Sequence, residues 1–312
     1  MVLDIPAATA AYLGYDLETV WRLCRMAPRT YNCYRIKKSS GGSRTIFNPS
    51  MQTKALQYAL LDLVLNGLEV HPSAAAYERI RSIIANARAH AKFVYSVRVD
   101  LCNFFPSIRP KDLILLMKTC RPGISPEEEE FVTKALFVDY NPGRTGLAVG
   151  APSSPKASNA VMWTIDASLT GYAVSRQACY TRYADDLVFS TNSRGESRKF
   201  VDEVENLLSR TPSPALRVNR RKTIYASPTT RHAVTGLVIT PKHAISIGRH
   251  NKRHVRKLLF DLSRNALDGE RLQYLKGYLA FVENVEPDFL NKMALRYGAG
   301  LLALARQGRA PA

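Results

Sequence analysis

A chain of 312 residues that is 46% apolar has ample material for a packed core, which excludes a disordered protein and points to two or three subdomains. Forty-four Lys and Arg against 26 Asp and Glu leave a formal charge of +18, which implies a polyanionic partner, nucleic acid foremost; a basic protein charged only for solubility is the plain alternative. No run reaches the roughly 18 apolar residues of a membrane span, and the opening MVLDIPAATAAYLGYD has no basic region ahead of its apolar residues, so neither membrane attachment nor a secretory signal is expected.

Residues 1 to about 30, rich in Ala, Leu and Arg, read as short helices. YRIKKSSGGSRTIFNPS alternates at Tyr34 and Ile36, breaks over residues 39–42 and resumes from Thr45 to Phe47, the pattern of a hairpin with a basic tip. Leu56, Leu60, Leu61, Val64 and Leu65 keep helical spacing, and IRSIIANARAHA is helical as well. FVYSVRVDLCNFF alternates Val97 and Val99 against Ser96 and Arg98, so a strand exits at Asp100. In SPEEEEFVTKALF, Ser125 caps a helix, Pro126 suits its first turn and the acids meet the positive end of the dipole, which makes them a solvated helix start rather than a site. ALRVNRRKTIYAS and HAVTGLVIT read as further strands. From about residue 241 the pattern turns helical, with Arg249, Lys252, Arg253, Arg256 and Lys257 forming a positive stripe. Cys24, Cys33, Cys102, Cys120 and Cys179 are odd in number, scattered and without a CxxC pair, as expected of free thiols in a reducing cytoplasm.

The stretch YTRYADDLVFS places Asp185 and Asp186 side by side between strand-like flanks. Neighbours on a flat strand point to opposite faces, so the pair can serve one site only at a hairpin tip or strand end. Two carboxylates brought close repel unless a cation neutralises them, and Mg²⁺, which takes oxygen ligands and completes its shell with water and phosphate, answers that need. A pair of ions about 4 Å apart clamps the two oxygens of a phosphoryl transfer and requires a further carboxylate, for which Asp100 is the best candidate. Taken alone, the tetrapeptide is equally well an acidic turn.

The order of the blocks changes that balance. Basic hairpin, strand ending DLCNFF, VGAPSSPKASN, YADD and a strand followed by RRKT together resemble the reverse transcriptases over residues 31 to about 240. The resemblance implies an α+β, right-hand polymerase fold: N-terminal helices and fingers over 1–95, a palm of small antiparallel sheet backed by helices over 96–240 with a fingers segment at about 111–150, and a helical thumb over 241–312. It assigns two Mg²⁺ ions to Asp100, Asp185 and, in a smaller direct role, Asp186. Phe105 becomes the bulky residue beneath the sugar that leaves no space for a 2′-hydroxyl, while Phe104 reads as core. Lys37 and Arg44, with Lys38 behind them, become contacts of the deoxynucleotide triphosphate; Gly150 allows a close backbone approach to substrate; and Lys222 stands near the leaving pyrophosphate as general acid or counter-charge. Val149 departs from the family, which has Gln there, so that nucleotide contact falls to backbone.

NARAH (Asn86 to His90) and VTG (Val234, Thr235, Gly236) resemble two elements of the retron reverse transcriptases specifically. Asn86 and His90 lie one helical turn apart and can face one partner, though a satisfied buried His or a plain strand-end turn at Thr235 and Gly236 explains each motif by itself. The resemblance implies recognition of a cognate structured noncoding RNA by these residues and by Arg249, Lys252, Arg253 and Arg256. It further implies priming from the 2′-hydroxyl of an internal guanosine, a branched product of RNA joined to single-stranded DNA, and an effector protein acting in defence against phage. The alternatives are a group II intron or diversity-generating reverse transcriptase, a polymerase-like RNA-binding protein without activity, and a nuclease using the same carboxylates.

Overall fold

Two aspartates start the first helices. In the computed structural model, which describes residues 3–37, 41–78, 81–141 and 143–310, Asp4 caps α1 (Ile5–Leu13) by accepting the Ala7 N–H, and Asp16 caps α2 (Leu17–Met26) by accepting that of Thr19. The basic hairpin follows as β1 (Tyr31–Lys37) and β2 (Ser43–Pro49), paired from Tyr31↔Pro49 to Lys37↔Ser43; Lys38 lies outside the described residues. Then come α3 (Met51–Leu63), α4 (Ile83–His90), β3 (Tyr95–Asp100), α5 (Phe104–Ser107), α6 (Pro110–Cys120), α7 (Pro126–Leu136) and the hairpin β4 (Phe137–Asn141) with β5 (Arg144–Leu147). After α8 (Ser154–Val161) and α9 (Trp163–Val174), β6 (Cys179–Tyr183) and β7 (Asp186–Thr191) form the hairpin that carries YADD. The chain ends with α10 (Glu196–Arg210), β8 (Ile224–Ala226), β9 (His232–Val234), β10 (Leu237–Ile239), β11 (Ile245–Ser246), α11 (Gly248–Ser263), α12 (Gly269–Val285), α13 (Pro287–Tyr297) and α14 (Ala299–Gln307).

These elements form two compact units, one of residues Met1–Arg81 with Val97–Tyr225, the other of Ser82–Ser96 with Ala226–Ala312. The first is built on an antiparallel hairpin extended into a four-stranded sheet of order β6-β7-β3-β8. Because β3 is an inner strand, Val97 and Val99 are fully buried, and they share a core with Leu187 and Phe189 of β7 and with Phe200, whose ring stacks on Phe189 at 4.4 Å. In the second unit α4 packs on a three-stranded sheet of order β11-β10-β9, and α11 to α14 bury Leu258, Leu259, Leu275, Leu279 and Leu290 among themselves.

Three local expectations turn out differently. Ser125 and Glu128 do close a capping box on α7, but Glu128 is buried and also accepts the Ile5 N–H at 3.1 Å and pairs with Arg121 at 2.8 Å, so one acid of the run is a tertiary anchor. RRKT is not strand: Arg220–Lys222 is a 3₁₀ turn, entered after Cys102 N–H bonds Arg217 O and Asn219 N–H bonds Asp100 O. HAVTGLVIT folds back on itself, with Thr235 (φ 47°) and Gly236 (φ 84°) as the two-residue, type I′ loop between β9 and β10.

Candidate active site

The YADD hairpin pairs out to Tyr183↔Asp186, leaving Ala184 and Asp185 as its two-residue loop. Ala184 takes a φ of 55°, a conformation that such loops usually give to Gly. Asp185 is thus at the tip, and its backbone carbonyl accepts the Leu101 N–H at 3.0 Å, which ties the tip to the exit of β3. Asp100, the last residue of β3, is largely buried. Its two carboxylate oxygens each accept from Lys222 Nζ at 3.0 Å, and Oδ1 also accepts from Asn219 Nδ2 at 3.1 Å. Asp186, the first residue of β7, lies 3.7 Å from Arg98 Nε on the neighbouring strand.

Burial, and then the negative charge of Asp100, raises the pKa of Asp185; burial pushes Asp186 up to about 6 in spite of Arg98. Lys222 bonds Asp100 directly, while its charge, with that of Arg44 at Asp185 and Arg98 at Asp186, only partly offsets the burial of the other two carboxylates. The donors here are all carboxylate oxygens, the hard ligands that suit Mg²⁺. Among the described residues no group of three or more His, Cys, Asp or Glu is gathered closely enough to hold a metal ion, Asp100, Asp185 and Asp186 included.

Asp100, Asp185, Lys222, Arg44 and Phe105 line one cleft of about 660 Å³. Phe105 is partly exposed there and Phe104, edge-on to it at 5.3 Å, is buried. Lys37, exposed at the end of β1, and Gly150 are not among its lining residues, although Val149 is. Gly150 answers to a different neighbour: at φ 120° an added Cβ would come within 2.9 Å of the Ile46 side chain and 3.1 Å of the Phe47 carbonyl oxygen. The Phe47 N–H donates to Val149 O at 2.8 Å, so the glycine lets this strip lie flush against β2. Sequence reasoning missed Tyr77, Asn103, Tyr140, Asn141 and Arg144, which also line the cleft. The NPGR turn before Arg144 is the kind of signal that could have marked it as a basic hairpin tip.

Beneath the tip lies a charge pair that hydropathy conceals. Arg182, fully buried, donates from Nε and Nη2 to the equally buried Asp166 carboxylate at 2.7–3.0 Å, and from Nη1 to Asn159 Oδ1 at 3.1 Å and Ala184 O at 3.3 Å. Tyr180 adds its hydroxyl to Asp166 at 2.8 Å, and the Arg182 guanidinium faces the Phe104 ring at 5.9 Å.

In the second unit the two shorter motifs meet. NARAH occupies α4, which packs on β9 and β10, and Thr235 Oγ1 donates to Ile83 O at 3.3 Å across 152 residues of chain. Val234 and His90 are fully buried and Asn86 nearly so; both amide atoms of Asn86, and Nε2 of His232, lack a hydrogen-bond partner among the described residues. Burial, reinforced by His232, depresses the pKa of His90 to about 3. The basic stripe of α11 divides by face: Arg249 and Arg253 are exposed, whereas Lys252 pairs with Glu286 and, with Arg256, lies 5.5 Å from the Phe289 ring.

The His90 environment has a pH consequence. A base whose folded pKa lies below its unfolded value of about 6.5 contributes stability that is complete above that value and is lost as pH falls towards 3. We expect the thermal midpoint of the wild type to fall as pH drops below about 6.5, with a slope from this site of up to ~1.4 kcal/mol per pH unit. A His90→Gln variant melted from pH 8 to 4.5 should show a shallower decline; parallel curves would mean that His90 takes up its proton without disturbing the fold.

The reverse transcriptase (RNA-dependent DNA polymerase) family profile matches residues 36–254. Retron Ec83 reverse transcriptase of Escherichia coli is 32% identical over 303 residues, 96% of each chain, and Retron Ec73 reverse transcriptase of the same species is 32% identical over 280 residues, 87% of this chain and 88% of its own. Among solved structures, telomerase from Candida albicans in complex with a fragment of telomeric RNA aligns with 89% of this chain at 13% identity and a TM-score of 0.48, and this chain spans 61% of that telomerase. The chain belongs to the retron reverse transcriptases, and it is an RNA-directed DNA polymerase with the α+β, right-hand fold of that family.

Proposed function

We propose that this enzyme copies part of a cognate structured noncoding RNA into DNA, starting from the 2′-hydroxyl of an internal guanosine, so that the product is RNA branched to single-stranded DNA. It works in the cytoplasm, with an effector protein, in defence against phage. The observation that carries the reading is the cleft that unites Asp100, Asp185, Lys222, Arg44 and Phe105 in a chain that resembles retron enzymes along its whole length.

Asp100 and Asp185 would hold the two Mg²⁺ ions; such ions, when bound, would supply positive charge to the attacking hydroxyl and to the leaving pyrophosphate. That hydroxyl oxygen bonds to the α-phosphorus of a deoxynucleotide triphosphate as the bridge to the β-phosphate breaks. Asp186, balanced by Arg98, shapes the field and takes the smaller direct part. Arg44, with Lys37 further along the hairpin, steadies the triphosphate, and Phe105 presents its ring to the sugar and disfavours a ribonucleotide. Backbone at Val149 and Gly150, braced on β2, serves where the family has Gln. Lys222, bonded to Asp100 at 3.0 Å, is the side chain that would turn its charge, or a proton, to the leaving group.

The junction of NARAH and VTG supports RNA recognition by the second unit. Asn86, His90 and Val234 act from within by fixing the turn at Thr235 and Gly236, Arg249 and Arg253 offer phosphate contacts at the surface, and Lys252 and Arg256 set their helix against Phe289. Protein purified from its native locus should carry one nucleic acid with ribonuclease-sensitive and deoxyribonuclease-sensitive parts covalently joined through a 2′ branch. Recovery of RNA alone, from cells in which the enzyme extends annealed primers normally, would sink the priming claim.

A further inference from the structure

Tyr77 holds a φ of 66°, a region that bulky side chains avoid and that persists only where the surroundings over-determine it. The surroundings do so here. The buried amide of Asn159 straddles the residue, donating to Ala76 O at 2.9 Å on one side and to Glu78 Oε1 at 3.2 Å on the other. The preceding segment is strapped to β6, where Ala75 N–H bonds Arg182 O at 2.7 Å and Arg182 N–H bonds Ser73 O at 2.8 Å. Asn159 in turn accepts from the Arg182 side chain, which also holds Ala184 O in the loop that carries Asp185. One buried arginine therefore sets both the acidic tip and the strained tyrosine.

What the strain positions is a ring that the core does not use. Tyr77 is 53% exposed, lines the same cleft as Asp100 and Asp185, and lies 6.5 Å from the Tyr183 ring at a tilt of 33°. An aromatic held rigid in a cleft lined by both carboxylates and the cations Arg44, Arg144 and Lys222 offers a flat face at small entropic cost, the property that base-stacking platforms exploit.

We propose that Tyr77 is a base-stacking subsite: its ring supports the face of a nucleobase bound in the cleft, and the Asn159–Arg182–Asp166 network keeps that ring in register with Asp185. The inference rests on the polymerase reading of the cleft. The nucleobase belongs either to the incoming deoxynucleotide or to the primer–template end, and kinetics distinguish the two.

The test uses the full chain, an RNA template with an annealed DNA primer, and Tyr77→Gly beside Tyr77→Phe. Gly accepts a positive φ without strain, so its loss of function is not a folding defect, which a thermal melt verifies. We expect Tyr77→Gly to lose about 5- to 150-fold, the range for removing one base–aromatic stack, and Tyr77→Phe to restore most of it. The loss falls on KM for deoxynucleotide if the incoming base is stacked, and on Kd for primer–template if the duplex end is. A Gly variant matching wild type in both constants overturns the proposal, as does a Phe variant as impaired as Gly, which would assign the effect to the hydroxyl. Failure of the wild type itself to extend the primer would instead overturn the polymerase reading, and this inference with it.

Discussion

Asp185→Asn should reduce primer extension by ~10³-fold or more while leaving the protein as stable as the wild type or more so. The substitution keeps the shape of the side chain and removes only its charge. An ion held at the tip would supply several kcal/mol of transition-state stabilisation, and each 1.36 kcal/mol is about tenfold in rate. The stability half follows from the sign of the shift. Burial and Asp100 raise the folded pKa of Asp185, so its ionised form is disfavoured in the folded state. That penalty is absent below the unfolded pKa, develops as pH rises through the folded value and is complete above it, so the gain from Asn should appear at pH 7 and vanish in acid. Melts in EDTA isolate this term. Added Mg²⁺ should then raise the midpoint of the wild type more than that of the variant, since an ion that binds only the folded state stabilises it by mass action. A variant that melts lower in EDTA, or that extends primers within tenfold of wild type, would remove Asp185 from the role of principal ion ligand.

The features legible in the sequence are those whose causes are local. The strand ending at Asp100, the hairpin tip at Asp185 and the capping box at Ser125 follow from alternation, turn residues and helix-end chemistry within a few positions of each other. The features that escaped it depend on partners distant in the chain. Arg182 occupies a strand where a charged residue would ordinarily face water, and only Asp166, 16 residues earlier on α9, makes its burial possible. Tyr77 reads as one more aromatic in a loop until its backbone angle is seen. Gly150 suggested a substrate approach, yet the atoms that exclude a side chain there belong to Ile46 and Phe47. Asn86 and His90 lie one turn apart on α4, as their spacing requires, but the spacing did not reveal that both would be buried in an element packed on β9 and β10.

The buried pair beneath the tip yields the largest expected effect on stability. Arg182→Met leaves the Asp166 carboxylate buried with only the Tyr180 hydroxyl, and breaking a buried pair from one side typically costs about 3–5 kcal/mol. Against a total stability of roughly 5–15 kcal/mol, that brings the protein close to unfolding at 37 °C. Replacing the whole constellation is a different experiment. With Asp166→Leu and Tyr180→Phe added, no carboxylate or hydroxyl of the three is left unpaired, and an apolar set of similar volume is commonly as stable as the charges it replaces. The triple variant should therefore recover most of the urea midpoint lost by the single one. Activity should not return with it: Ala184 O loses its donor and Asn159 loses the guanidinium that orients it, so the loop bearing Asp185 and the strained Tyr77 are both released. Denaturant melts and primer extension on the same samples separate the two effects. A triple variant that regains both would show that the buried charges hold the fold alone, whereas stability without activity identifies Arg182 as a positioning residue for the tip.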